Sequence, residues 1–122
     1  MSHTDREIVL AGYNNSECPR DSTPEEIDVY NVGLRVRNIQ GELNGKEIYM
    51  GFKLNDNSVL CALRSARETE KELQTLKDEN ESVVSHIEEL SSYSFRSYQR
   101  IKQKAIEFFR EKRKRLASVN AA

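Results

Sequence analysis

Tryptophan is absent from this chain, proline occurs only twice and glycine five times. So few turn-formers leave little for the many tight corners of a β sandwich or barrel. Cysteine is just as scarce. Cys18 and Cys61 stand 43 positions apart with no CxxC or CxxH company, the pattern of isolated thiols rather than of a disulfide framework or a zinc site. No apolar run approaches the ~18 residues of a membrane span. The opening Met1-Ser2-His3-Thr4-Asp5-Arg6 is polar, and the Ile8-Val9-Leu10 that follows is too short for a secretory signal. These absences predict a soluble, cytoplasmic protein with no membrane partner.

Catalytic patterns are missing as well. The chain carries no Gly-rich phosphate loop, no HExxH and no legible Ser/His/Asp constellation. His3 lies in the polar terminus. His86 has Glu88 and Glu89 close by, but adjacent helical residues diverge by ~100° and cannot share a substrate. No catalytic residues, no metal and no cofactor are expected.

Charge is what the sequence does have. Charged residues make up 32% of the 122 and hydrophobic ones 37%, against an apolar share of ~45–50% in ordinary globular domains. An elongated helical or oligomeric body is easier to build from that composition than a spherical core. The net charge of −1 hides a polarity. Met1–Cys61 holds 6 Lys or Arg against 10 Asp or Glu, and Ala62–Ala122 holds 13 against 10. Within Arg96–Arg115 the count is 9 against 2. A basic end of this kind suits an anionic partner.

The length allows one domain. Residues 1–22 read as a flexible or arm-like N-terminus, with Ile8-Val9-Leu10-Ala11 as a short strand or docking arm. Residues 23–116 read as a single helical coiled-coil domain, and 117–122 as a frayed C-terminus. Thr23-Pro24-Glu25-Glu26 spells a capping box with proline at the first helical position. Val29, Val32, Val36, Ile39 and Leu43 follow at spacings of 3 and 4, and Asn44-Gly45 offers a stop. A strand competes over the same residues, because Tyr30, Val32, Leu34 and Val36 also alternate with polar neighbours and glycine.

A second helix is expected at 46–91. With position a set at Phe52, the a sites are Phe52, Val59, Ala66, Leu73, Asn80 and Ile87. The d sites are Ile48, Asn55, Ala62, Thr69, Leu76, Val83 and Leu90, and none of the thirteen is charged. That is the seam of a coiled coil. Its first part, 46–56, reads as helix or as strand. Ser91-Ser92-Tyr93-Ser94 then breaks the pattern ahead of a third, basic helix at 95–116. The fold class is all-α: a helical hairpin with a long coiled-coil helix and a basic C-terminal helix.

Such a seam is covered either by the third helix folding back over it or by a second copy of the chain. The favoured reading is a homodimer or higher oligomer joined through Leu73, Leu76, Asn80, Val83, Ile87 and Leu90, with Asn80 fixing the register. The basic segment predicts a binding surface made of Arg96, Arg100, Lys104, Arg110, Lys112, Arg113, Lys114 and Arg115. Arg96, Arg100 and Lys104 recur every four residues and should line one exposed edge. Tyr93, Phe95 and Tyr98 interleave with them and could stack on bases. The expected partners are a second copy of the chain and either an acidic protein surface or nucleic acid. This profile fits small accessory proteins that act by binding, including inhibitors or regulators of the type encoded by viruses and mobile elements.

Overall fold

The computed structural model describes residues 3–121, and their side chains except at 89–97 and 119–121. Among the described residues there are five α-helices and no strand: α1 (Asp5–Tyr13), α2 (Pro24–Tyr49), α3 (Asp56–Glu79), α4 (Glu81–Val84) and α5 (Glu88–Ala121). After Gly51 the sequence has neither glycine nor proline, so nothing local interrupts a helix except a competing side chain. Asparagines do the interrupting. Asn55 caps α3 by accepting from the Ser58 amide at 2.9 Å, and Asn80 closes it by donating to the Leu76 carbonyl at 3.0 Å.

α2 starts where the capping box places it. The Thr23 hydroxyl accepts from the Glu26 amide at 3.2 Å, and the Glu26 carboxylate accepts from the Thr23 amide at 3.1 Å. The helix then runs through Asn44-Gly45 and ends at Tyr49, so the expected stop is not used. A glycine stop works by entering the left-handed region, and no glycine here has positive φ. Neither strand alternative, in α2 or at 46–56, is adopted.

The N-terminus corrects the sequence reading most sharply. In place of a strand or loose arm, Asp5–Tyr13 is a helix capped by Thr4, whose Ile8 and Val9 are fully buried. Full burial of such side chains contributes about 1.5–3 kcal/mol each toward holding α1 on α2. Asn15 and Asp21 take positive φ in the connection to α2, as Asn and Asp tolerate. α1 lies on α2 at two glycines. A Cβ on Gly12 would stand 2.1 Å from the Tyr30 carbonyl oxygen, and one on Gly33 would stand 2.2 Å from that of Val9. Tyr13 donates from its hydroxyl to Gln40 at 2.7 Å, and Arg37 donates to the Tyr13 carbonyl at 2.9 Å.

Glu26 ties the terminus down further, because its second carboxylate oxygen accepts from the His3 amide at 3.2 Å. The backbone bond from Thr23, with the one from His3, lowers the pKa of its carboxyl from the ordinary carboxylate value. A lowered carboxylate pKa stabilises the fold above the unfolded value of about 4.3, and that contribution is lost as the pH falls through the folded one. Glu26→Ala should therefore melt below the wild type at neutral pH. The gap between the two melting temperatures should close under acid conditions.

α2, α3 and α5 pack side by side in an up-down-up order, with α4 bridging the end opposite the α2–α3 turn. Arg35 on α2 pairs with Glu72 on α3 at 3.0 Å. The core runs along Val36, Ile39, Leu43, Ala66, Leu73, Leu76, Val83, Ile87 and Ile101. From Val59 to Leu76 every a and d site is buried, so the seam is the inner face of α3. The helix breaks at Asn80, and α5 begins at Glu88 and passes through the serine run instead of starting after it. It also continues to Ala121, beyond the fray expected from 117.

Candidate functional site

The residues expected at an interface between copies turn out to be core. Leu73, Leu76, Val83 and Ile87 are all buried within one chain, and Asn80 spends its amide on its own helix. Leu90 lies outside the described side chains. Leu73, Leu76, Val83 and Ile87 are closed over by α2 and α5 of the same chain, while Asn80 stays half-buried.

The basic segment divides into two groups. Arg100 Nε meets Glu47 Oε1 at 2.8 Å, and Lys104 Nζ donates to the Glu47 carbonyl at 3.2 Å. Both act on the last turn of α2, where carbonyls lack helical partners and the helix dipole attracts cations. Arg100 and Lys104 therefore tie α5 to the end of α2, with Arg100 still exposed. Arg96 lies outside the described side chains. Lys112 makes an ion pair with Asp56, the first residue of α3. Tyr98 is partly buried against the core, so its ring is not offered to bases, and Tyr93 and Phe95 are outside the described side chains.

Arg110, Arg113, Lys114 and Arg115 form the second group, and all four are exposed. Ala105 is the last buried residue among the described side chains of α5. With Lys112 already at the start of α3, residues 113–121 run on past the first residue of that helix for about 13 Å at 1.5 Å per residue. Residues 113–118 are exposed all round. Beside this overhang lies an open cleft of about 560 Å³ lined by Leu54, Asn57, Phe108, Lys112 and Arg115 among others. Phe108 and Phe109 stand edge to face with ring centres 5.2 Å apart.

Sequence reasoning missed the apolar side of this end. Ile48 and Phe52 hold d and a sites of the repeat, yet each is 67% exposed. Asn55-Asp56-Asn57 is a poor helix segment in the sequence, where Ser58 could cap a fresh start; the new helix begins at Asp56 and drops everything before it out of the repeat. Among the described residues, the exposed large apolar side chains other than Ile27 fall within 48–60 or 106–116. Residues 46–57 and 100–116 together hold ten Lys or Arg against four Asp or Glu. At the opposite end, Lys77–Glu89 carries one basic residue against five acidic ones. The molecule is thus polarised along α3, a helix about 36 Å long. The chain matches no protein-family model, no curated protein and no solved structure.

Proposed function

We propose that the protein works by binding and not by catalysis, using the overhanging cations of α5 to capture an acidic surface on a macromolecular partner. The observation that supports this reading is the exposure of Arg110, Arg113, Lys114 and Arg115 on a helix end that the bundle does not cover. A helical scaffold holds these charges in fixed relation, and the acidic opposite end orients the molecule as it approaches. Capture of this kind lets a small chain block or regulate a larger one.

Nucleic acid is the second reading, carried by the same cations through phosphate contacts. The two differ in what relieves binding. A pull-down with the full chain as bait, run with and without nuclease, should return an acidic protein that nuclease does not release. Recovery of nucleic acid alone, with retention falling steeply as salt rises, would replace the first reading by the second.

A further inference from the structure

The charges of the cationic end account for an acidic partner, but they leave its apolar side chains unused. Ile48 and Tyr49 close α2, and Phe52 follows in a tight turn where the Gly51 amide donates to the Ile48 carbonyl at 2.9 Å. Ile48 and Phe52 are 67% exposed and Tyr49 is 44% exposed. Leu54 and Asn57, just beyond, share a cleft with Lys112 and Arg115, so this turn and the overhang are neighbours. On α5 itself, Ile106 and Leu116 also face solvent among the cations. Exposed apolar residues concentrated at one end of the bundle suit a contact surface.

Protruding rings and aliphatic chains set in positive charge fit an anionic lipid surface. The apolar groups enter the boundary between headgroups and acyl chains, and the cations meet phosphate and carboxylate headgroups. A rigid acidic protein would need a matching hollow for each protrusion, whereas a bilayer boundary deforms to accept them. Outside residues 46–57 and 100–116 the chain carries nine Lys or Arg against sixteen Asp or Glu. That acidic body is repelled by the same surface that attracts the basic end, which sets the orientation of approach. Among the described residues no helix is long and apolar enough to cross a membrane, and docking of this kind requires none.

We propose that the cationic end docks the protein on anionic phospholipid, with Ile48, Tyr49 and Phe52 entering the interface and Arg113, Lys114 and Arg115 meeting the headgroups. This goes beyond capture of a soluble acidic partner, which needs the charges alone, and departs from the sequence expectation of no membrane partner.

Flotation of the full chain with vesicles tests it. The wild type should float with vesicles of phosphatidylcholine and phosphatidylserine and remain behind with phosphatidylcholine alone. Ile48→Ser with Phe52→Ser alters exposed side chains only, so helicity should persist while vesicle affinity falls about tenfold or more. Neutralising Arg113, Lys114 and Arg115 to glutamine should cost about fivefold per charge, on the order of a hundredfold together. Because the chain has no tryptophan, Phe52→Trp adds a single reporter whose emission should shift to the blue on the phosphatidylserine vesicles. An unmoved emission, or full binding by the Ile48/Phe52 variant, would overturn the proposal by reducing the contact to charge alone. Failure to float with either vesicle would overturn it too and leave the capture of a soluble partner standing. Floating without any capture of an acidic protein would do the reverse.

Discussion

Gly33→Ala is expected to destabilise the protein by about 3 kcal/mol and to loosen α1 from α2. The new Cβ would stand 2.2 Å from the Val9 carbonyl oxygen and 2.7 Å from the Tyr13 amide nitrogen. Both are backbone atoms, so no rotamer change relieves the clash and the helices must move apart. Separation exposes Ile8 and Val9, which are fully buried. Gly12→Ala meets the Tyr30 carbonyl in the same way, at 2.1 Å. Two glycines further along α2 supply the control. At Gly41 and Gly45 an added methyl would have nothing within 4 Å, and alanine there should stabilise the fold by about 0.5–1 kcal/mol each. One substitution type on one helix thus changes sign with position, and urea denaturation of the four variants measures it.

Leu76→Asp should unfold the chain outright. Leu76 is 4% exposed and lies in the core cluster with Leu73, Ile87 and Ile101. An aspartate there is a buried charge in an apolar core, a change on the order of 4 kcal/mol or more. That is a large part of a small domain's total stability. If the seam joined two chains instead, the same substitution would release folded monomers. Circular dichroism separates the outcomes, because unfolding removes the helical signal at every protein concentration and dissociation preserves it. Leu73→Ala, a milder cut in the same core, should cost about 2–5 kcal/mol.

The inner face of α3 was legible because its a and d sites from Val59 to Leu76 bury in the order that the heptads predict. The cap at Thr23 was legible for a similar reason, since a capping box is satisfied by residues three apart and needs no tertiary context. What lay beyond local pattern was which partner covers a given face. A seam reads the same whether its complement comes from another copy or from α2 and α5 of the same chain. Asn80 at an a site reads as a register device, but it also ends a helix by bonding its own backbone. α1 was missed because its packing depends on Gly12 meeting Gly33, two residues that carry no apolar signal at all. The Arg100 and Lys104 pair read as a free stripe because nothing in the sequence reveals that the end of α2 comes to rest beside it.

Whether the overhang, and not the stripe that clamps α2, forms the working surface is tested by comparing two charge reversals in one partner-capture assay. Arg113→Glu, Lys114→Glu and Arg115→Glu together alter residues that the bundle leaves exposed, so helicity and melting temperature should stay as in the wild type while capture is lost. Arg100→Glu with Lys104→Glu places two carboxylates against Glu47 and should lower the melting temperature by a few degrees. Capture by that folded variant should persist. Wild-type capture by the triple reversal would contradict the assignment and reduce the overhanging charges to a solvated helix end.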